Sequence, residues 1–232
     1  FTPNFTITNR ILKSMGVIEA AKEVIENAPL VPAWEARFRE DAMVRAVHHG
    51  THIEGNELSF TEAERLLAGA KIVGRDRDIQ EVLNYRNVLK FIESYEKPEI
   101  TEESIKHIHG LTVHRLLADE AVGLYRKTQV VVKNSQTGEV TFRPPPAVEV
   151  PFLIASFLQW LNLSGDDELH VVLKAGIAHY EIVRIHPFLD GNGRVARAAA
   201  TLVLFKAGYD IKRFFSLEEH YDREPVSYYD AL

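Results

Sequence analysis

Cysteine is absent from this sequence of 232 residues, and its absence excludes several kinds of chemistry at once. A chain without thiols forms no disulfides and has neither a cysteine nucleophile nor a zinc or iron–sulfur site with cysteine ligands. Long apolar runs are also missing, since no stretch of about 18 uncharged apolar residues occurs and no secretory signal is recognisable. We therefore predict a cytoplasmic protein that does not enter a membrane.

An excess of positive charge is also missing. The formal net charge is −6, from 33 acidic and 27 basic residues. A nucleic-acid surface needs Lys and Arg in excess on one face, so we expect no nucleic-acid binding through this domain and only local polyanion sites. The 46% of hydrophobic residues is sufficient for one buried core, which predicts one compact domain. Because the chain starts at Phe1, without a methionine, a further domain stays open.

Helical periodicity dominates what is present. Apolar residues recur every three or four positions in about eight segments, which predicts an all-α fold. Ser59 followed by Glu62 predicts a capping box, and Gly208 predicts a helix C-terminus. The exception is TQVVVKNSQTGEVTF, in which two β-rich runs flank Asn134–Gly138 and predict a hairpin. A lone hairpin is weakly stable, so it is either a flap over a site or an ordinary surface hairpin.

Residues 184–201, RIHPFLDGNGRVARAAAT, concentrate polar and small residues just before a helix. Gly191, Asn192 and Gly193 precede or begin that helix, while Arg194 and Arg197 follow on one face. Free N–H groups at a helix N-terminus stabilise an anion by about 0.3 to 2 kcal/mol. Two guanidinium groups add charge-assisted donors. The segment therefore predicts a phosphate-binding site.

Two other interpretations of the segment carry less weight. Gly191, Gly193, Ala196 and the later Asp210 satisfy the spacing of a dinucleotide-binding fingerprint, but no strand precedes the glycines and no βαβ pattern surrounds them. An ordinary loop between two helices also uses glycine and asparagine to turn the chain. That second interpretation does not account for the two arginines on one helical face.

Asp190 and His186 stand directly before the predicted phosphate site. A carboxylate beside an anion site is unfavourable unless a metal lies between them, and Mg²⁺ held by one side chain and phosphate oxygens is the usual arrangement. A histidine has a reference pKa of about 6.5 and can act as a base near neutral pH. Base, metal ligand and phosphate site together favour transfer of a phosphorylated group to a hydroxyl.

Residues 186–197, HPFLDGNGRVAR, match the motif H-P-F-x-[DE]-G-N-G-R-x-x-R at every defined position, and the chain thereby resembles the Fic family. The preceding AGIAHYEIVRI, the hairpin after LYR and the tail SLEEHYDREPVSYYDAL are also similar to the Fic domain core. The resemblance implies an all-α, Fic-type helical bundle with a small β-hairpin flap. It further implies transfer of AMP from ATP to a Ser, Thr or Tyr hydroxyl of a target protein, with Mg²⁺.

The resemblance also implies roles for the motif residues. His186 would deprotonate the target hydroxyl and Asp190 would bind Mg²⁺. Asn192, with the backbone of Gly191 and Gly193, would hold the α-phosphate of ATP.

Further residues would bind nucleotide or target. Arg194 and Arg197 would hold the outer phosphates, and Tyr228 and Tyr229 would lie near the nucleotide. An extended segment of the target would pair with the flap strand by β-addition. That strand consists of Val130, Val131, Val132 and Lys133.

Glu54 ends a long predicted helix, where a negative charge opposes the helix dipole and calls for a positive partner. In one class of the family, the inhibitory motif [ST]-x-x-x-E-[GN] supplies a glutamate that pairs with the second arginine of the catalytic motif and blocks productive ATP binding. Here that pair would be Glu54 and Arg197. Gly55 fits the end of the motif, whereas Gly50 stands where Ser or Thr is expected and Thr51 comes one place late.

The resemblance divides the chain into two parts. Residues 1–34 are predicted to be an N-terminal extension and residues 35–232 the Fic domain core. Within the core we expect the inhibitory helix at about 40–55, the flap at about 128–143 and the catalytic loop at 186–197.

The remaining aromatic and histidine residues receive structural interpretations. Phe188 is expected to anchor the loop in the core, and His179 to be a packed histidine. His48 and His52 have the i, i+4 spacing of metal ligands, but no third ligand is evident nearby. We therefore interpret two sets as exposed or capping histidines: His48, His49 and His52, and also His107, His109 and His114.

The leading hypothesis is an adenylyltransferase autoinhibited by Glu54. The reverse reaction, removal of AMP by water that Glu54 orients, stays open. Two further alternatives stay open. One is transfer of a phosphoryl group, another nucleotide or a headgroup, and the other is a nucleotide-sensing interaction module without catalysis. The target protein, self-modification and a homo-oligomer are not decided by the sequence.

Overall fold

The structure, a computed structural model, describes residues 1–133, 137–163 and 169–232. Within these ranges the chain forms ten α-helices, one two-stranded hairpin and three short 3₁₀ turns, so the predicted all-α fold is confirmed. The helices are α1 (Asn9–Glu26), α2 (Pro32–His52), α3 (Phe60–Leu67), α4 (Asp76–Glu93), α5 (Glu102–Thr112), α6 (Val150–Leu163), α7 (Val171–Ile185), α8 (Asn192–Lys206), α9 (Leu217–Arg223) and α10 (Pro225–Asp230).

Helix α8 lies at the centre of the bundle. Eleven of its 15 residues are buried, and four alanines in its first nine residues let α4, α5 and α7 approach closely. A helix that is buried on nearly all sides is held rigidly by its neighbours. The predicted catalytic loop leads directly into α8, so the packing of this helix in the core fixes the position of the loop.

The predicted helix signals are confirmed. The Ser59 hydroxyl accepts a hydrogen bond from the Glu62 N–H at 3.4 Å, and a Glu62 carboxylate oxygen accepts from the Ser59 N–H at 2.9 Å. This reciprocal pair satisfies two backbone donors at the start of α3. Gly208 has φ +71°, a left-handed conformation that glycine adopts without strain, just after α8 ends.

The predicted hairpin is present but shorter than expected. Strand β1 (Val132–Lys133) pairs antiparallel with β2 (Val140–Phe142), with Val132 opposite Phe142. The predicted strand from Val130 to Lys133 is therefore wrong for Val130 and Val131, which lie outside the ladder. In this register Val130 would face Pro144, which has no N–H to donate, so pairing cannot continue. Part of the predicted turn, residues 134–136, lies outside the described residues.

The first 34 residues lie on the outside of the bundle. None of the residues of α1 is buried. The carboxylate of Glu19 accepts a hydrogen bond from the Tyr209 hydroxyl at 2.6 Å, and the ring of Phe1 contacts those of Phe157 and Trp160. The division at residue 35 stays a prediction. Among the described residues, no helix combines the length and apolar character needed to cross a bilayer.

Candidate active site

The catalytic loop connects α7 to α8 through two left-handed residues. His186 ends α7 with φ 50° and ψ 59°, and Gly191 precedes α8 with φ 78°. A left-handed conformation is uncommon for a histidine and has to be held by the surroundings. The Asn192 carboxamide helps to hold the loop, accepting from the Phe188 N–H at 2.9 Å and donating to the Phe188 carbonyl at 3.0 Å. Both ends of this side chain are therefore bonded within the loop.

Phe188 anchors the loop in the core, as predicted. Its ring is fully buried and stacks on the ring of His109 with centroids 3.8 Å apart. His109 Nδ1 accepts from the Gly123 N–H at 2.9 Å, so its Nε2 carries the proton and faces the Asp190 carbonyl at 3.2 Å. The interpretation of His109 as exposed or capping is wrong, because it lies on the inner face of α5 and is fully buried.

The imidazole of His186 is held in its neutral form. Burial lowers its pKa below the usual value, the nearby Val183 carbonyl raises it and the charge of Arg126 lowers it further. Nδ1 of His186 is buried without a hydrogen-bond partner among the described residues. A neutral imidazole near pH 7 is the form that can accept a proton.

Arg126 holds the main chain of His186, a role that was not predicted from the sequence. Its guanidinium, in a residue only 2% exposed, donates to the carbonyls of His186 at 2.8 Å, Pro145 at 2.6 Å and Thr128 at 3.3 Å. Its own N–H donates to the Pro187 carbonyl at 2.9 Å. One side chain thus joins both ends of the hairpin segment to the catalytic loop. The only signal in the sequence is its place directly before the hairpin.

Asp190 is the exposed carboxylate of the loop. Its Oδ1 accepts from the Gly191 N–H at 2.6 Å, and its Oδ2 lies 3.3 Å from a guanidinium nitrogen of Arg77. The side chain is 41% exposed. Among the described residues, no group of three or more metal-binding side chains occurs. A single accessible carboxylate fits an Mg²⁺ ion that takes its other ligands from phosphate and water.

The two arginines of the motif are buried and face carboxylates. Arg194 is 2% exposed and lies 3.3 Å from Glu81 of α4. Arg197 is 1% exposed and donates to Glu54 Oε1 at 2.7 Å and to the Gly50 carbonyl at 2.9 Å. The predicted approach of Glu54 to Arg197 is therefore present in the structure, whereas Glu81 as the partner of Arg194 was missed. Arg77, Glu81 and Tyr85 share one face of α4, and that polar row was the available signal.

The carboxylate of Glu54 also lies against the N-terminus of α8. A β-carbon on Gly193 would collide with Glu54 Oε1, so this close approach requires glycine. Within the described part of the chain, no side chain caps α8 at Gly191. Glu54 therefore occupies the space in which the free N–H groups of the helix would receive an anion.

The inhibitory motif differs from the family pattern for a steric reason. A β-carbon at Gly50 would lie 2.5 Å from the ring of Tyr85, which leaves no space for Ser or Thr. The Thr51 hydroxyl donates to the carbonyls of Val47 and His48 at 3.0 Å, within its own helix. The expected hydroxyl is thus absent from the site, and the Gly50 carbonyl contacts Arg197 instead.

Replacing Gly50 with serine is expected to lower the free energy of unfolding by about 1 to 3 kcal/mol, because the new side chain overpacks the contact with Tyr85. Urea denaturation measures the change. Gly176 is the matched control, since it also lies within a helix but a β-carbon there meets nothing within 4 Å. Alanine at 176 should stabilise by up to about 1 kcal/mol. Equal stability of Gly50→Ser and the wild type would contradict the steric argument.

The predicted tail tyrosines reach the same site. The Tyr228 hydroxyl is 3.2 Å from an Arg197 guanidinium nitrogen and 3.0 Å from His179 Nε2. The Tyr229 hydroxyl donates to the Ile53 carbonyl at 3.1 Å, directly before Glu54. His179 is buried, as expected for a packed histidine.

The histidines near the end of α2 contact an acid. Nδ1 of His49 lies 2.7 Å from the carboxylate of Asp222 in α9, and Nδ1 of His52 lies 2.9 Å from it. His48 is buried against both rings, so its interpretation as exposed or capping is wrong. Burial lowers the pKa of His48 to about 4.

The protein should lose stability as the pH falls below about 6.5. Burial lowers the pKa of His109 to about 4 and that of His179 to about 3. Between about pH 6.5 and 4 the unfolded chain binds these protons and the folded chain does not, which costs about 1.4 kcal/mol per pH unit for each histidine. Urea denaturation at several pH values tests this. Glutamine at 109 should reduce the slope, and an unchanged slope in that variant would contradict the assignment.

The fold and the site define a class of protein: an α-helical bundle in which a histidine and a carboxylate lie on a loop that leads into a helix N-terminus, with a glutamate against that N-terminus. Comparison with known families agrees, since the Fic/DOC family matches residues 99–204. The chain is a Fic-domain protein.

Relatives and solved structures support this assignment. The chain is 33% identical over 177 residues to the protein adenylyltransferase Fic of Drosophila grimshawi, covering 75% of this chain and 35% of that protein. It is 32% identical to that of Drosophila willistoni, covering 88% and 40%. It therefore spans between a third and two fifths of these relatives. A crystal structure of a Fic family protein from Desulfovibrio desulfuricans G20 has TM-score 0.82 and 28% identity, covering 99% of this chain and 67% of that one.

Proposed function

We propose that this chain is a protein adenylyltransferase, dependent on Mg²⁺ and held inactive by Glu54, that moves AMP from ATP to a Ser, Thr or Tyr hydroxyl of a target protein. The observation that carries the proposal is the convergence of the His186 imidazole, the Asp190 carboxylate and the N-terminus of α8 on one loop. The relatives named protein adenylyltransferase Fic support the choice of AMP. We propose a cytoplasmic location as well.

His186 acts as the general base. The target oxygen attacks the α-phosphorus of ATP, the bond from that phosphorus to the bridging oxygen of the β-phosphate breaks, and pyrophosphate leaves. The proton of the hydroxyl passes to Nε2 of His186, since Nδ1 is shut from solvent. Lowering of the His186 pKa by burial keeps the imidazole ready to accept it at neutral pH.

Backbone groups and the motif arginines bind the nucleotide. The N–H groups at Asn192 and Gly193 hold the α-phosphate, and that of Gly191 joins them when it leaves the Asp190 carboxylate, to which it donates at 2.6 Å. The Asn192 carboxamide is already bonded to Phe188 and acts by shaping the loop. Arg194 and Arg197 hold the outer phosphates.

Asp190 would hold Mg²⁺ together with phosphate oxygens. The ion neutralises phosphate charge when it is bound.

Glu54 inhibits by taking the place of the nucleotide. Its carboxylate accepts from Arg197 at 2.7 Å and lies at the N-terminus of α8, so it uses two groups that the phosphates of ATP need. Phosphate and carboxylate also repel each other at this distance. Productive ATP binding therefore requires that Glu54 move away from Arg197.

The hairpin provides the docking edge for the target. Val132 and Lys133 form the strand that a target segment would extend by β-addition, and Val130 and Val131 lie directly before it. Such pairing supplies affinity through the main chain and little sequence selectivity.

Removal of AMP is the second candidate, and the position of Glu54 favours it. An oxygen of Glu54 at the N-terminus of α8 lies close to where an AMP phosphate would bind, so it could orient water for attack. This candidate predicts that loss of Glu54 abolishes AMP removal. Inhibition by Glu54 predicts instead that its loss activates AMP transfer.

Incubation with ATP and Mg²⁺, followed by mass spectrometry of intact protein, tests the proposal. The Glu54→Gly variant should gain a nucleotide-sized mass on itself or on added cell proteins, and the further change His186→Ala should abolish the gain. Release of AMP from a modified protein by the wild type alone would favour the second candidate. Nucleotide binding without either reaction would support a nucleotide-sensing module that has no catalytic activity.

A further inference from the structure

A cavity lies away from the catalytic loop, between α2, α4, α8, α9 and the segment that joins α8 to α9. It has a volume of about 100 Å³, and its lining includes Ala42 and Ala46 of α2, Leu89 of α4 and Leu204 of α8. These side chains give the cavity an apolar lining. Closed cavities of about 150 Å³ with such a lining bind benzene, and this smaller space suits a short branched alkyl group or one edge of a single ring.

One wall of the cavity carries a buried carboxylate without a cationic partner. Glu218 is 3% exposed and lines the cavity. Its oxygens accept from the Tyr85 hydroxyl at 2.9 Å and the Ser216 hydroxyl at 3.2 Å. Among the described residues, no Lys, Arg or His forms an ion pair with it within 4.0 Å. Buried carboxylates are normally paired with a cation, and each oxygen here has an acceptor position to spare.

The other charged side chains of the lining are already compensated. Arg213 lies 3.2 Å from Glu93 and 3.4 Å from Asp210, and Arg39 pairs with Glu35. Glu218 is thus the one lining charge without a counter-ion in the part of the chain that the structure describes. Charge complementarity therefore calls for a cation in the cavity, attached to an apolar body.

We propose that this cavity binds a small primary amine with a compact apolar body, such as an arylalkylamine, with its ammonium group on Glu218. The ring occupies the space between the alanines of α2 and Leu204, and the ammonium donates to the spare acceptor positions of Glu218. Binding supplies the Glu218 carboxylate with a cationic partner that the described residues do not provide.

The cavity is connected to the inhibitory contact by the inner face of α2. Ala42, Ala46 and Gly50 follow one another at four-residue spacing, so they share a face of the helix. Tyr85 packs on Gly50 at one end of this row, and its hydroxyl is bonded to Glu218. The Gly50 carbonyl in turn accepts from Arg197. An amine on the spare acceptor positions of Glu218 holds the carboxylate that Tyr85 contacts and so acts on the segment that positions Glu54, an effect that rests on the proposed function.

Titration calorimetry with benzylamine, toluene and benzoate tests the site without any reference to activity. Benzylamine should bind the wild-type protein about tenfold or more tightly than toluene, and benzoate should not bind. Glu218→Gln keeps an oxygen that can accept from Tyr85 and should lose about tenfold or more of the benzylamine affinity while leaving toluene unchanged. Failure of benzylamine to bind, or equal affinity in Glu218→Gln, would overturn the proposal.

A second variant covers the case in which Glu218→Gln does not fold. Ala42→Leu fills the cavity from α2 and keeps Glu218, so benzylamine and toluene should both lose their affinity. Retention of benzylamine binding by Ala42→Leu would locate the amine elsewhere and reject this site. A subsequent AMP-transfer assay with benzylamine separates the two proposals, because the amine can bind even if the chain transfers no AMP.

Discussion

Replacing His186 with alanine should lower the rate of AMP transfer by about 100- to 10,000-fold, the usual contribution of a positioned general base. The imidazole is neutral because burial lowers its pKa, and removing it leaves the target hydroxyl without a proton acceptor. Affinity for ATP should change little, since phosphate binding uses the N-terminus of α8 and the arginines. Single-turnover rates and nucleotide titration, both with Glu54 replaced by glycine, measure the two quantities separately.

A second substitution at the same position separates the base from the backbone. Asparagine adopts the left-handed conformation of His186 more readily than alanine does, so His186→Asn preserves the loop and removes the base. Both variants should be equally slow, and His114→Ala, at an exposed histidine, should retain full activity. An active His186→Asn enzyme would show that His186 serves the loop and not proton transfer. With His186 intact, the rate of AMP transfer should fall only at a pH below about 6.5, because burial lowers the pKa of His186.

Replacing Glu54 with glycine should raise the rate of AMP transfer by about 10- to 150-fold. The hydrogen bond from Arg197 to Glu54 is charge-assisted and largely shielded from water, and such bonds contribute about 1.5 to 3 kcal/mol, which corresponds to that range. The change frees Arg197 and the N-terminus of α8 together. Initial rates of nucleotide incorporation with labelled ATP measure the gain, which should shrink at saturating ATP if Glu54 and the phosphates compete directly.

Two controls define the role of the carboxylate. Glu54→Gln keeps the shape but not the charge, so it should activate less than glycine does. Glu57→Gly removes an exposed carboxylate three residues on, which pairs with Arg75 at the surface, and should leave the rate unchanged. Equal rates for wild type and Glu54→Gly would contradict inhibition by Glu54.

Local sequence signals predicted the parts of the site that lie close together in the chain. The motif from His186 to Arg197 forms one loop and the first one and a half turns of α8, and its spacing alone brings its groups together. The approach of Glu54 to Arg197 was predicted from the resemblance and not from local physics, because the two residues are 143 positions apart.

The contacts that the sequence did not reveal depend on packing between distant helices. Arg77 and Glu81 of α4 reach Asp190 and Arg194 only because α4 lies beside α8. The same holds for His109, whose burial follows from the side of α5 that faces the loop. The strand starting at Val130 was overpredicted, because β-propensity does not register that the partner strand is followed by proline.

The hydrogen bonds of Arg126 make the hairpin and the base mechanically dependent on each other. Thr128 and Pro145 lie at the two ends of the hairpin segment, and both are bonded to the guanidinium that also holds the His186 carbonyl. A target segment that bends the hairpin must therefore also displace the main chain of the histidine that is to accept its proton. Under the proposed docking, a target segment that fits the hairpin leaves His186 aligned for proton transfer. A target segment that distorts the hairpin moves His186 out of that alignment. Substrate discrimination can then arise in the rate of proton transfer, even where affinities are equal.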